Sequence, residues 1–525
     1  VLARSRDRVS ERTTSDRITR ELFRHRFTQI VEEMGAVLER TAISTNVKER
    51  LDFSCALLDA EGQLVANAPH IPVHLGALGL CIREVAKALA MGPGDVVVTN
   101  HPAFGGSHLP DVTLISPAHD PETGELLGYV ANRAHHAEIG GMTPGSMPPT
   151  AKNLAEEGVV IPPTHLVRNG VTDYRPIETL LTQSPFPTRR LADNLADLHA
   201  QAAAIQRGVA ALIELNRNHG TETLTAELAG LANRSAAAVH ERLAQLELPR
   251  QVKHSLDDGT VIAISATRSE AGSLRLDFSG TSPSHPGNLN ATPAIVRSAI
   301  LYSVRLLSEI DLPLNEGLLQ EVEIHLPACF LNPEFPSAAA DCPAVVGGNV
   351  ETSQRVVEAL IDLFDLQAAS QGTMNNLIFG DETFGYYETL CGGSGAGPGY
   401  AGSDALHTHM TNTAITDPEI LEYRYPVRLH EFSIRRRVVD HSRYPGGRGV
   451  LRHFEFLKPL TVSILSQHRR VGPPGAHGGD RGLPGTQLAA RLGYRALPAI
   501  GTFEAQAGDH LRIKTPGGGG WGTRK

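Results

Sequence analysis

The chain is short of cysteine, of aromatic residues, of basic charge and of long apolar runs, and each shortage narrows what it does. Its five cysteines (Cys55, Cys81, Cys329, Cys342 and Cys391) contain no CxxC spacing and are odd in number. That argues against a thiolate zinc site or a disulfide framework and fits a reducing, cytoplasmic compartment. No apolar run approaches the ~20 residues that a transmembrane helix needs. The start, Val1-Leu-Ala-Arg-Ser-Arg-Asp7, has no apolar stretch of the signal-peptide kind, and Val1 in place of Met points to a trimmed chain. A net charge of −9 and a pI near 6.2 argue against nucleic acid or an anionic membrane as partner. The glycine-rich strings Gly392-Gly-Ser-Gly-Ala-Gly397 and Pro516-Gly-Gly-Gly-Gly520 lack the Gly-Lys-Ser/Thr ending of a phosphate loop. They read as tight turns or as places where another backbone comes close, so the chain has no ATP site of its own.

A length of 525 residues calls for two to four domains, and 41% hydrophobic with 20% charged residues describes a globular protein. Aromatics make up only 5%, while 51 Gly and 34 Pro predict a loop-rich fold with function on the loops. Apolar spacing predicts a helix over 10–40, using Ile18, Leu22, Phe23, Ile30, Val31, Met34 and Leu38. A hairpin follows over 52–66, then a helix over 76–91 and a strand over 95–99. Residues 190–248 are Ala/Leu-rich and helical, as two or three helices. Composition shifts at Leu248-Pro249. Beyond it come two strands over 259–279, helices near 292–309 and 350–364, the second with Asn349 as N-cap, and strands and turns after 425. There is no internal repeat. The expected class is α+β, multi-domain, with a mixed α/β domain over 1–249 and a second over 250–525 that is β-rich toward its end.

The most informative feature is His108-Leu-Pro-Asp111, followed by a strand ending in His135-His136. Pro110 keeps the first pair out of a helix. The runs Val112–Ser116 and Leu126–Asn132 flank a turn-rich segment, Asp120-Pro-Glu-Thr-Gly124, and read as a hairpin. A turn centred on 122–123 sets Asp111 opposite roughly residue 134. His108, Asp111 and one of His135 or His136 then share one end. Two imidazoles and a carboxylate around an open position suit one divalent Zn, Mn or Fe. Seven of the 23 histidines fall between His70 and His136, and glycine pairs at 105–106 and 140–141 permit close backbone packing there. Asp52, at the start of a strand, is a further carboxylate that this site can draw on. His407-Thr-His409 would alternate on one strand face as ligands, substrate contacts or plain polar residues. Thr416-Asp-Pro-Glu419 is a capping-box start for a short helix.

Several strings together resemble the hydantoinase B/oxoprolinase family. They are Val47–Cys55, His70–Gly76, Asn100–Asp111, Ala134–Gly141, Val346–Ser353, Gln371–Asn376, His407–Asn412 and Thr515–Gly520, in the expected order over nearly the whole chain. The resemblance implies a B subunit of an ATP-dependent hydrolase that opens a cyclic amide such as hydantoin, 5-oxoproline or a lactam. It maps the metal motif onto His108, Asp111 and His135, with Asp52 as a fourth ligand or as base, and gives His136 and Glu138 supporting catalytic roles. It also implies a separate A-type ATPase subunit that binds ATP and Mg and forms a hetero-oligomer with this chain. Two alternatives go with it: a metal subunit for ATP-dependent carboxylation of the acetone-carboxylase kind, and a non-catalytic scaffold for the ATPase. Two departures bear on substrate choice. Glu138 stands where the family usually has Asp, and Val438–Tyr444 replaces a Ser-Gly-Gly-rich turn.

Overall fold

The computed structural model describes residues 2–68, 71–308, 314–436, 440–490 and 493–524, with side chains from residue 17 onward. His70, and Val438 and Val439 of the divergent turn, lie outside the described residues. The architecture is α+β, with several sheets and helices packed between and against them.

The first sheet has seven strands in the order β2-β1-β5-β4-β3-β6-β7. They are β1 Phe53–Leu58, β2 Leu64–Asn67, β3 Val96–Thr99, β4 Asp111–His119, β5 Leu126–His135, β6 Thr164–Arg168 and β7 Val171–Thr172. Every pairing is antiparallel. β1 is buried on both faces, and β4 is buried along all but its last residue. One face packs against the helix Leu191–His219, which in turn packs against the helix Leu2–Thr41. Phe23, Phe27, Ile30, Val31, Met34 and Leu38 form the buried side of that first helix. Ile18 and Leu22, expected on the same side, are 65% and 43% exposed instead. Met34 is seated against Gly208, where an added Cβ would come within 2.4 Å of its Sδ. The segment 190–248 forms two long helices, Leu191–His219 and Thr221–Gln245, broken at Gly220, whose φ is +82°. Glycine takes this positive φ without the steric cost that a Cβ would bring.

The remaining strands build four smaller sheets. β8 Arg250–Ser255, β9 Val261–Arg268, β10 Leu274–Asp277 and β11 Val322–His325 form the second, in the order β11-β10-β9-β8. The third joins β12 Asn376–Asp381, β13 Phe384–Thr389, β17 Leu460–Leu465 and β20 Ile500–Ala505. The fourth has the order β14-β16-β21-β18-β19, with β14 Val427–Ile434, β16 Val450–Phe456, β18 Thr486–Ala490, β19 Tyr494–Ala496 and β21 His510–Lys514. A short pair joins β15 Ser442–Tyr444 to β22 Trp521–Thr523. The two glycine strings serve close packing. A Cβ on Gly518 would lie 1.9 Å from the Ser394 carbonyl oxygen, and one on Gly393 would lie 2.0 Å from that of Gly447. The short helix Pro418–Arg424 is capped by Asp417, one residue beyond the expected Thr416.

Among the described residues, no helix is long and apolar enough to cross a membrane. All five cysteines are free and buried. The largest apolar cluster built mainly from the second half also takes in Ile71, Val73, Leu75 and Met147 from the first half. Beside it, Glu358 is fully buried and pairs with Arg355 at 2.5 Å and with His468 at 3.3 Å. Burial alone would raise the Glu358 carboxyl, but Arg355, and after it His468, outweigh the burial and hold it at about 2. A depressed folded value stabilises above the ordinary 4.5, and that stability is lost as pH falls toward about 2. The shift corresponds to a contribution on the order of 3 kcal/mol at neutral pH. Glu358→Gln should lower the melting temperature at pH 7, because Arg355 is left buried without its counter-charge. It should also flatten the loss of stability between pH 4.5 and 2. Parallel melting curves for the two proteins over that range would refute this.

Candidate metal centre

The register of one hairpin builds the site. Near the turn, His119 pairs with Leu126, as a turn centred on 122–123 dictates. A bulge between Ala118 and His119 then advances the pairing by one, so Asp111 sits opposite His135 rather than Ala134. A one-residue slip exchanges the faces of a strand, so this bulge decides which of the two adjacent histidines joins Asp111. β1 pairs with the other edge of β5, Phe53 opposite Ala134, and the His135 amide donates to the Asp52 carbonyl at 3.0 Å. Asp52 thereby arrives at the same end.

The result is a buried cluster in which one donor atom each of His108, Asp111 and His135 lies within 4.8 Å of the others. His108 Nε2 and His135 Nδ1 stand 3.1 and 3.5 Å from Asp111 Oδ1, and Asp52 Oδ2 is 3.8 Å from His135 Nδ1. Asp111 Oδ1 has no hydrogen-bond partner, and neither do His108 Nδ1 and His135 Nε2. A buried carboxylate oxygen with two imidazole nitrogens converging on it, and no hydrogen bond to satisfy it, has the donor chemistry of a divalent-cation site. Zn, Mn and Fe all accept such nitrogen and oxygen donors. Burial by itself would raise the Asp111 carboxyl, yet the imidazoles of His108 and His74 hold it well below the usual carboxylate range. Burial pushes the His135 imidazole down, against the pull of Asp52 and Asp111. Both shifts favour the forms that ligate a cation, an anionic carboxylate and a neutral imidazole.

The supporting residues come from both halves of the chain. Asp111 Oδ2 accepts from Ser107 Oγ at 2.5 Å and faces His74 Nε2 at 3.2 Å; the other ring nitrogen of His74 meets Ser54 Oγ at 3.0 Å. Buried Arg133 donates to Thr113 Oγ1 and the Gly105 carbonyl, and so fixes the loop that carries Ser107. Asn100 ties the same loop down by donating to the carbonyls of Leu109 and Val159. From the second half, Asn349 Nδ2 lies 3.1 Å from His108 Nε2, and the Tyr387 ring stacks on His135 with centroids 4.9 Å apart. Buried Arg50 lies over the other part of this wall. Its Cζ is 4.5 Å from the Tyr387 centroid and its Nη1 is 3.6 Å from Asp52. Val73, Val350, Met374 and Met410 complete a cavity with room for about one water at most.

Of the residues expected at the site, the structure brings together His108, Asp111, His135 and Asp52. It places two others elsewhere. His136 points away from the cavity, its ring nitrogens engaged by Gln201 Oε1 at 3.0 Å and Asn194 Nδ2 at 3.1 Å. Glu138 pairs with Arg189 at 3.0 Å and accepts from the amides of Gly140 and Gly145, holding the loop after β5. His407 and His409 are not on a strand; they lie in a loop where His409 has a φ of +58°. Burial pushes both imidazoles to about 4, with Arg50 adding to the shift of His407. Asn349 is not a helix cap but part of a π-turn, Gly348–Thr352, that leads into the helix Ser353–Phe364. Its amide is thereby free to face His108. His74, to which the sequence assigns no role, joins the site as well; it stands in the His70–Gly76 string, one of the seven histidines between 70 and 136.

The family described as hydantoinase B/oxoprolinase matches residues 16–524. The 5-oxoprolinase 1 of Arabidopsis thaliana is 46% identical over 97% of this chain, which spans 42% of that protein's length. The chain therefore covers about two fifths of such a relative. The crystal structure of an ATP-dependent caprolactamase from Pseudomonas jessenii superposes with a TM-score of 0.84 at 25% identity, covering 96% of this chain and 91% of that one. A nucleotide-free acetone carboxylase shares the fold, with a TM-score of 0.82 at 18% identity, over 96% of this chain and 75% of that one. The chain belongs to the hydantoinase B/oxoprolinase family.

Proposed function

We propose that this chain is the B component of an ATP-dependent cyclic-amide hydrolase, opening a hydantoin, 5-oxoproline or lactam ring. The carrying observation is the unsatisfied Asp111 Oδ1 between His108 and His135 at the end of one hairpin. An amide resists hydrolysis because its carbonyl is resonance-stabilised and its nitrogen leaves poorly. In this reading an A-type ATPase component, on a separate chain or on the same polypeptide, binds ATP and Mg and phosphorylates the amide oxygen. On the B component water then adds to the activated carbon, the ring C–N bond breaks and inorganic phosphate leaves, so that a carboxylate and the freed ring nitrogen result. A divalent cation held by His108, Asp111 and His135 would supply Lewis acidity and a lowered pKa for water.

This chain's own residues prepare that step. Ser107 and His74 hold the Asp111 carboxylate from one side, leaving Oδ1 directed at the imidazoles. Asp52 stands beside His135 either as a fourth ligand or as the base for the attacking water, and Arg50 keeps its charge compensated. Tyr387 fixes the His135 ring by stacking, while its hydroxyl donates to Asn376 Oδ1 at 2.9 Å. The cavity is too small for a ring substrate, so substrate access requires part of its wall to move.

The test is an assay with the A-type ATPase component, ATP and Mg, offering hydantoin, 5-oxoproline and caprolactam in parallel, and bicarbonate plus a ketone as the competing chemistry. Ring opening that requires ATP and both components is expected. The chain alone should neither bind ATP appreciably in calorimetry nor open an unactivated ring. Ketone carboxylation without ring opening, or tight ATP binding by the chain alone, would overturn the proposal.

A further inference from the structure

A second constellation of metal donors lies far along the sequence from the first, on the fourth sheet. Phe454 and Phe456 of β16 and Leu511 and Ile513 of β21 face a buried core. Strand alternation therefore turns His453, Glu455 and His510 to the opposite face, where Glu455 and His510 are partly exposed and His453 is buried. Glu455 is the direct cross-strand partner of His510. On the other side, β14 carries a bulge between Leu429 and Glu431, and its extra residue is His430. Bulges re-aim a side chain. Here the bulge brings His430 Nε2 to 2.8 Å from Glu455 Oε2. One donor atom each of His430, Glu455 and His510 falls within 4.8 Å of the others.

The fourth residue, His453, orients one of these three. Its Nε2 lies 3.0 Å from His510 Nδ1. Pairing one ring nitrogen of a histidine fixes its tautomer and leaves the other nitrogen as the ligand, the arrangement ligating histidines ordinarily have. The three rings sit 5.1 to 5.3 Å apart, centroid to centroid. Two cations stand near the cluster: Arg512, opposite His453 and over the Tyr494 ring, and Arg428, whose Nη1 is 3.5 Å from Glu455 Oε2 but whose side chain is 57% exposed. A long exposed guanidinium swings away at little cost, and such surface pairs contribute little. By contrast, three strands hold the two imidazoles and the carboxylate at fixed register.

We infer that His430, Glu455 and His510 form a second divalent-metal site, separate from the hairpin site, that binds Zn2+ and staples β14, β16 and β21 together. Two imidazoles and one carboxylate favour Zn2+ over Mg2+ or Ca2+, which prefer all-oxygen shells. The three protein ligands leave a fourth, solvent-facing position for water. None of the described residues assigned to the hairpin site lies on this face, so the role inferred here is structural and does not depend on the proposed hydrolase activity.

The test counts Zn2+. The full chain is stripped with chelator, dialysed against Zn2+ and analysed for bound metal, as wild type and as the double variant His430→Ala/His510→Ala. The variant is expected to hold one Zn2+ fewer per chain and to lose the part of the Zn2+-dependent rise in melting temperature that wild type shows. Millimolar Mg2+ should not displace the difference. Glu455→Gln, which keeps the shape of the side chain, should weaken Zn2+ at this site at least tenfold in chelator competition and gives a second reading should the double variant fold poorly. Equal Zn2+ counts in wild type and double variant, or a Glu455→Gln protein with unchanged Zn2+ affinity, would overturn the inference.

Discussion

Asp111→Asn should lower the yield of ring-opened product by several orders of magnitude in the assembled enzyme, while ATP consumption persists at least in part. The substitution keeps the shape of the side chain but removes the charge at which His108 and His135 converge. It also replaces one acceptor with an amide nitrogen that faces either an imidazole or Ser107. Both changes weaken a cation site, and cation activation alone shifts the pKa of water by up to ~8 units. The phosphorylating site is untouched, so product formed per ATP should collapse rather than both falling together. Asp52→Asn separates two roles for its carboxylate. A loss equal to that of Asp111→Asn marks a ligand; a milder loss, with metal retained, marks a base. Product per ATP at the wild-type ratio in Asp111→Asn would show that the cluster plays no part in hydrolysis.

The second large effect is on folding. Gly518→Ala should destabilise the protein by more than ~4 kcal/mol, at the extreme end for a single substitution. The added Cβ would meet the Ser394 carbonyl oxygen at 1.9 Å, its carbon at 2.2 Å and the Gly395 nitrogen at 2.7 Å. All three are backbone atoms. They belong to a braid in which the Gly518 amide donates to the Gly447 carbonyl at 2.8 Å and the Gly447 amide to the Ser394 carbonyl at 2.9 Å. No flexible side chain can move aside, so relief requires breaking the braid. Gly399→Ala is the control, since nothing lies within 4 Å of its Cβ position; its cost is limited to backbone strain at a φ of +95°. Chemical denaturation of both variants measures the difference, and similar midpoints would refute the braid's importance.

The hairpin was legible in the sequence because its determinants are local: Pro110, two apolar runs and a turn between them. Its exact register was not, because the bulge at Ala118/His119 leaves no mark in composition, and only the bulge distinguishes His135 from His136. Residues within one or two positions of a ligand are easily credited with roles beside it. His136 and Glu138 are such residues, and strand alternation and the following turn carry them to Asn194, Gln201 and Arg189. The opposite error befell Asn349. A polar residue after two glycines reads as a helix cap, but a π-turn redirects it across the interior to His108. His430, His453 and His510 are separated by 23 and 57 positions in the chain and meet only through sheet pairing, which no local pattern encodes. The exposed Ile18 and Leu22 mark the limit of periodicity in a long helix. They lie off the surface that buries Phe23 and Phe27.

The central claim, that the end of the β4–β5 hairpin holds a divalent cation, is tested most directly by metal analysis of the purified chain. The wild type, prepared without chelator, and the Asp111→Ala variant are compared for Mn, Zn and Fe, with circular dichroism to confirm that both are folded. The account predicts that the wild type holds about one metal ion per chain more than the variant. Equal metal content in two folded proteins would contradict it.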